Sequence, residues 1–595
     1  MKAAVTLLLL CSGLICWTWG TWPDPLIDFG RELYAAWRIS DGDRLHRDLA
    51  WFNGPLSAWW NGLLFWVFGS GLRVLVVSNL MILALVCALL WRLLRQWSDG
   101  FTATAGCAIF VSLFAFHQYA GIGNYNFITP YSHELTHGFA LALGLLAALS
   151  SFDKRSSLPK AAGIGGLLAL IALTKVEVAV AAACATVFSL ALGWLCRDAE
   201  SRSQGRGWLG VGAAMGAAAL IVLGGASFYL STALGWRGAL DAIAVPYRSA
   251  FNEDLRRLLF YEVLSGMDDP GANALAMLRN AGWMLALLCV PWVAARCLPA
   301  RVLAQAWLRV VIAVLLGLGL WAALREPALD WVAIARGLPV IALFAWLGST
   351  HRAWRATESS ERSAALSRAS FALFATLLLL KTLLNARLVH YGFVLAVPAS
   401  LLLIATACHS LPERLRRTRG GDAARMARVL ALGLFLAVVA LHWEKASGWY
   451  EWKKYELGVG ADRFAVATRG HYAAQMLEEI ERRLEPDEAF LVLPEGVMLN
   501  YLARRPAPSE YLNYMPPEVL LFGEESMLEA LQKNPPRFIV LAHKDTSEYG
   551  FPIFGHDYAL SIGQWLLANY RPVHKVGKMP LSGQGFGIAL LERQD

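Results

Sequence analysis

LRVLVVSNLMILALVCALL, from Leu72 to Leu90, carries one charge, Arg73, near its start. A run of this kind and of ~20 residues is the length that crosses a bilayer as a helix. Phe101–Tyr119 and Val211–Ala233 repeat the pattern. Working outward from these, apolar segments fall near 3–19, 71–94, 101–121, 135–152, 161–174, 176–195, 208–234, 280–297, 304–324, 332–350, 369–386, 391–408 and 426–442. The sequence therefore predicts an α-helical polytopic membrane protein of about thirteen transmembrane helices. The first segment reads as an uncleaved helix.

Of the 595 residues, 57% are hydrophobic and 16% charged, well under the roughly one quarter charged of soluble domains. The net charge of +8 invites a nucleic-acid reading, but its distribution excludes one. Basic residues gather in alternate loops: Arg92/Arg95, Lys154/Arg155/Lys160, Arg197/Arg202/Arg206, Arg296/Arg301, Arg352/Arg355/Arg362/Arg368 and Arg414/Arg416/Arg417/Arg419/Arg425. That is the positive-inside pattern. It puts the N-terminus in the cytoplasm and segments 20–70, 122–134, 235–279, 325–331 and 387–390 outside. The nine cysteines all sit in apolar runs or at their ends and read as small hydrophobes.

Beyond Leu441 the composition becomes that of a soluble domain. Ala489–Leu493, Phe538–Ala542 and Gly587–Leu591 read as strands; Gly496–Ala503 and Ile562–Tyr570 read as helices. The expected organisation is a transmembrane catalytic domain at 1–442, with an outer loop at 20–70, and a small C-terminal α/β domain at 443–595. An odd number of spans places that domain outside the cytoplasm.

The outer loop is the richest stretch. Phe29, Leu33, Ala36 and Trp37 have helical spacing, so 29–39 reads as an amphipathic helix on the membrane surface. Pro55–Phe68, with Trp59, Trp60, Phe65 and Trp66, suits a second interfacial helix. Asp28 precedes the first of these. Its carboxylate can take a proton from a substrate hydroxyl or hold a cation, or it can simply cap the helix at Phe29. Asp41-Gly42-Asp43 reads as a turn that also matches a metal-holding DxD, and Asp24 between two prolines is similarly two-sided. Arg47 beside Asp48 suits a phosphate or a lipid headgroup.

His133-Glu134-Leu135-Thr136-His137 matches the zinc-protease pattern HExxH at the mouth of the fourth helix. No third ligand is evident. The other readings are a polar active-site wall and plain interface structure. Lys175 and Glu177 occupy one tight outer turn, Arg387, His390 and Tyr391 another, and Lys381 lies within a span. Cations at the outer ends of helices suit an anionic lipid phosphate.

Asp28-Phe29-Gly30-Arg31-Glu32-Leu33-Tyr34, then Arg47-Asp48, then Asn53-Gly54-Pro55-Leu56 resemble the GT-C glycosyltransferases, in particular the protein O-mannosyltransferase and lipid A aminoarabinose transferase family. Leu173-Thr174-Lys175 resembles that family's Leu-Thr-Lys turn, and the resemblance spans roughly residues 1–410. It implies transfer of a sugar, with inversion, from a polyprenyl-phosphate donor to a glycan, lipid or protein acceptor on the extracytoplasmic face of a bacterial inner membrane. It implies Asp28 as the catalytic acid and Lys175 on the carrier phosphate; Arg47 and Arg387 are further candidate phosphate cations on the residue reading alone. Asp48, His133, Glu134, His137, His390 and Tyr391 are expected to wall the site, and a divalent metal would sit on Glu134 and His137. The sequence departs from the family in having Phe29 where many members carry a second acid. Membrane lipids are the expected surroundings and nucleic acid is not a partner. The rival classes are a transporter, which should show inverted repeats, and an intramembrane zinc metalloprotease resting on HELTH alone.

Overall fold

The computed structural model describes residues 2–22, 24, 26–27, 29–119, 125–152, 158–196, 206–326, 332–583 and 585–594. Among these, nine helices are long and apolar enough to cross a membrane, the first Leu72–Trp97 and the last Gly421–Glu451. They coincide with nine of the thirteen expected segments. The other four segments are also helical: Lys2–Thr18, Gly100–Phe110 continued by a π turn to Ala115, His133–Ser150 and Leu158–Ala172. These are shorter or less apolar than the nine.

Local chemistry fixes several boundaries. Asp99 caps the helix from Gly100 by accepting the Thr102 N–H at 2.8 Å. The long helix from Arg206 breaks at Gly235, whose φ of +69° is one that side-chain-bearing residues rarely take. The expected span 208–234 ends at that break. Lys175 is the N-cap of Val176–Leu195, in extended conformation, so the chain reverses within Leu173–Lys175.

The loop after the first helix carries two helices, Phe29–Ser40 and Leu56–Phe68, packed against each other. A Cβ on Gly62 would lie 2.5 Å from Ile39 Cγ2, so only glycine allows this approach. Phe29, Leu33, Ala36 and Trp37 are all buried, as their spacing requires. What buries them differs from the expectation of a membrane surface. The C-terminal domain covers this face: Phe29 packs edge-on to Phe464, Trp37 to Tyr501, and the Tyr34 hydroxyl accepts the Ala507 N–H at 2.7 Å. An apolar helical stripe needs an apolar partner, and pattern alone does not say whether lipid or protein supplies it.

That domain follows the last long helix. β1 (Tyr455–Leu457) and β2 (Phe464–Val466) pair antiparallel. β3 (Phe490–Leu493), β4 (Phe538–Ala542), β5 (Tyr570–Gly577) and β6 (Gly587–Arg593) form a sheet of order β3-β4-β6-β5. β3 and β4 run parallel; β6 is antiparallel to both β4 and β5. The fully buried β3 and β4 are the strands readable as short apolar runs. β5 is an edge strand whose burial is patchy and whose residues include Arg571, His574 and Lys575, so its sequence carries little strand signal.

Candidate functional site

A cavity of about 460 Å³ lies between the helical region and the C-terminal domain. Its helical side is lined by Asp24, Arg31, Asn53, Lys175, Lys381, His390 and Tyr391, its other side by Arg469, Glu495, His543, Lys544 and Asp545. Each element delivers its residue for a local reason. β3 and β4 are parallel neighbours, and Glu495 and His543-Lys544-Asp545 follow directly from their carboxyl ends. That edge is where open α/β sheets place ligands. Lys175 is presented by the tight turn before its helix. The stretch Asn53–Leu56 pairs with that turn through Gly54 N–H to Thr174 O and Leu56 N–H to Leu173 O, each 3.0 Å.

Lys175 Nζ donates to Asn53 Oδ1 at 2.7 Å. Burial holds the ammonium below its ordinary pKa, against the pull of Glu177. Lys381 bonds Glu177 and lies 4.4 Å over the Tyr391 ring. The Tyr125 hydroxyl meets His390 Nε2 at 2.8 Å, and Tyr125 stacks on Tyr131. Burial first, then Arg387 and Lys381, push His390 down to about 3, so its ring is neutral near pH 7. His390 and Ser132, both lining residues, have positive φ of 57° and 46°. Strained backbone of this kind costs on the order of 1–3 kcal/mol per residue and gathers at functional sites.

Two carboxylates face opposite walls. Asp24 accepts the Leu26 N–H at 2.8 Å. Its pKa is raised by burial, opposed by that bond and by Arg469, Lys544 and Lys453. Glu495 is buried 3.0 Å from Lys544 Nζ. Arg31 lies over the Trp51 ring at 5.1 Å and between two buried acids, Glu32 at 3.3 Å and Glu134 at 3.8 Å.

Of the residues named from sequence, Asp24, Lys175, Lys381, His390 and Tyr391 line the cavity. Asp28 lies outside the described residues. His133, Glu134 and His137 are buried and do not line the cavity, and Glu134 meets the lining residue Arg31 at 3.8 Å. His133 is hydrogen-bonded through both ring nitrogens, Nδ1 to Asn61 at 2.8 Å and Nε2 to Asn79 at 3.0 Å. His137 Nδ1 meets Ser57 Oγ at 3.0 Å. No group of three His, Cys, Asp or Glu able to hold a metal occurs among the described residues. Glu134 and His137, the residues named for a metal, therefore do not make up a ligand set on their own. Within HELTH, His133 is held by two carboxamides and His137 by a hydroxyl.

Arg47 and Asp48 are elsewhere too. They pair with each other at 2.6 Å on an exposed turn, where Asp48 also accepts the Arg44 N–H. Arg387 shares the turn of His390 without lining the cavity. Asp41 and Asp43 both bind Arg38, which makes them a paired turn. The sequence reading missed the entire wall from the C-terminal domain, and passed over Arg31 and Asn53 inside motifs it quoted. The available signal was polar residues immediately after apolar strands.

No family model matches the sequence, and no curated protein matches it. The fold is similar to that of ArnT from Cupriavidus metallidurans bound to undecaprenyl phosphate, with 14% identity, 99% of this chain and 97% of that chain covered, and a TM-score of 0.46. It is also similar to the Archaeoglobus fulgidus oligosaccharyltransferase tethered with an acceptor peptide containing the NVT sequon, with 14% identity, coverage of 91% and 68%, and a TM-score of 0.45. A second structure from that organism, AglB in complex with an inhibitory peptide and a dolichol-phosphate, aligns at 12% identity, coverage of 91% and 69%, and a TM-score of 0.45.

Proposed function

We propose that this chain is a GT-C membrane glycosyltransferase that moves a sugar from a polyprenyl-phosphate donor to an acceptor hydroxyl or amide in the cavity. The observation that carries the reading is a cluster of cations beside a buried carboxylate in one cavity. Lys175, Lys381 and Arg31 gather on the side formed by the helix ends, where a phosphate anchored in the membrane would arrive. Asp24 stands on the same rim, within the field of Arg469 and Lys544 of the other domain.

Transfer needs two things from the protein. The acceptor must lose a proton as it attacks the anomeric carbon, and the leaving phosphate must be stabilised as its bond to that carbon breaks. The lysines and Arg31 supply the second. A carboxylate of segment 24–28 supplies the first, and Asp28 is the proposed base by its resemblance to the family position, with Asp24, four residues earlier in sequence, the described carboxylate of the segment. Burial of Asp24 favours the protonated form and so makes its carboxylate a better proton acceptor. The new bond joins the acceptor to the anomeric carbon, the proton ends on the carboxylate, and the polyprenyl phosphate stays in the membrane. One direct displacement inverts the carbon. The Arg-rich end of the bundle faces the cytoplasm in this proposal, and the cavity and C-terminal domain face outside.

The test is single-turnover release of polyprenyl phosphate from a labelled lipid-linked sugar by purified protein in liposomes. Wild-type protein should release it, and Asp28→Asn and Lys175→Met should release it far more slowly. Undiminished release in both variants would remove the proposal. A C-terminal alkaline phosphatase fusion should be active in cells; an inactive fusion beside an active cytoplasmic reporter would reverse the topology.

A further inference from the structure

The other end of the bundle holds a buried cation with no acidic partner among the described residues. Arg368 is 6% exposed, inside the helix Ser359–Leu378. It lies thirteen residues before Lys381, so about 20 Å from the cavity along the helix. Its guanidinium donates to Ser410 Oγ at 2.9 Å and Thr406 Oγ1 at 3.1 Å, and lies 5.3 Å over the Trp97 ring. Thr406 and Ser410 begin and end a π-helical turn, Thr406–Ser410, a distortion often found at functional sites. Two exposed arginines, Arg352 and Arg414, add their charge to that of Arg368.

No ion pair joins Arg368, Arg352 or Arg414 to a carboxylate among the described residues. The nearby acids are otherwise occupied. Asp99 binds Arg428 at 2.7 Å and the Thr102 N–H, Glu413 binds Arg416, and Glu361 is exposed and forms no ion pair among the described residues. Two buried donors, Arg368 Nε and Trp97 Nε1, have no hydrogen-bond acceptor among the described residues. Unmatched donors around an unpaired buried charge are costly, so an anion belongs here.

We infer that Arg368, Arg352, Arg414 and Trp97 bind the phosphate headgroup of an anionic phospholipid in the leaflet opposite the cavity. The exposed apolar Phe344, Leu347 and Trp354 on the helix that carries Arg352 favour a headgroup with acyl chains. Basic pockets between transmembrane helices bind acidic lipids in this way.

The full chain is purified and reconstituted in phosphatidylcholine nanodiscs with or without phosphatidylglycerol, and bound phospholipid is counted by native mass spectrometry. Wild type should retain phosphatidylglycerol over phosphatidylcholine. Arg352→Gln with Arg414→Gln, two exposed changes that spare the core, should weaken retention about thirtyfold. Arg416→Gln with Arg417→Gln removes the same charge outside the cluster and should leave retention unchanged. Equal retention in both double variants, or no preference for phosphatidylglycerol in wild type, overturns the site. Inorganic phosphate that raises the melting temperature in detergent as much as phosphatidylglycerol does would overturn the lipid as its occupant.

Discussion

Lys175 Nζ and Asn53 Oδ1 meet at 2.7 Å, closing a contact between two segments 122 positions apart whose backbones are already paired. Asn53 leads the second surface helix and Lys175 the eighth described helix, so one side-chain bond fixes the cation that the donor phosphate would meet. Removing the charge with Lys175→Met should lower turnover by about 10²–10³, the size seen when one transition-state donor is lost. Asn53→Ala keeps the charge but frees the ammonium, and should lower turnover less. The readout is single-turnover phosphate-lipid release. Equal turnover in wild type and Lys175→Met would put the phosphate elsewhere.

The same junction predicts a packing defect. A Cβ on Gly54 would lie 2.2 Å from the Leu173 carbonyl oxygen, with backbone rather than a movable side chain in the way. Gly54→Ala should cost about 1–3 kcal/mol through forced backbone shifts. It should lower the melting temperature in detergent and, by parting Asn53 from Lys175, lower turnover as well. A variant as stable as wild type would show that the loop can slide.

The sequence made these partners visible separately but not as a pair. Asn53-Gly54-Pro55-Leu56 and Leu173-Thr174-Lys175 each stood out, and the spans were plain because a bilayer sets their length. The outer wall was hidden because Glu495 and His543-Lys544-Asp545 come near Lys175 only when the domain docks. The stripe Phe29, Leu33, Ala36 and Trp37 reads the same under lipid as under Phe464 and Tyr501. Arg47 suggested a phosphate because its neighbour Asp48 could not be known from sequence to take its whole fork. Asn61 and Asn79, which hold His133, come from other helices and could not be read from HELTH itself.

Glu32 gives a pH test. Burial first, then the neighbouring Glu134, raise its carboxyl from 4.5 to about 8, against Arg31. Below pH 4.5 the folded and unfolded chains both hold this proton. Between about 4.5 and 8 only the folded chain keeps it, so its contribution to stability is lost as pH rises through that window. Glu32→Gln keeps the shape and removes the titration. Wild-type melting temperature should therefore fall relative to Glu32→Gln as pH goes from 5 to 8. Parallel curves would mean that Glu32 is ionised in the fold throughout.

The pair Glu177 and Lys381 separates structure from chemistry. Each side chain is about one fifth exposed, at 20% and 21%, and the two are bonded directly. Breaking such a pair from one side leaves a charge without its partner. Glu177→Gln and Lys381→Met should each destabilise by about 1–3 kcal/mol, short of the 3–5 kcal/mol of a fully buried pair. The double variant removes both charges and should recover part of that loss, a coupling that a double-mutant cycle measures. Turnover should behave differently. Lys381 lines the cavity and Glu177 does not. If Lys381 stabilises the leaving phosphate, the double variant regains stability while staying as slow as Lys381→Met. Melting temperature and single-turnover release, measured on the same four proteins, decide the matter. Recovery of turnover together with stability would assign Lys381 to the scaffold and leave Lys175 and Arg31 as the phosphate's cations.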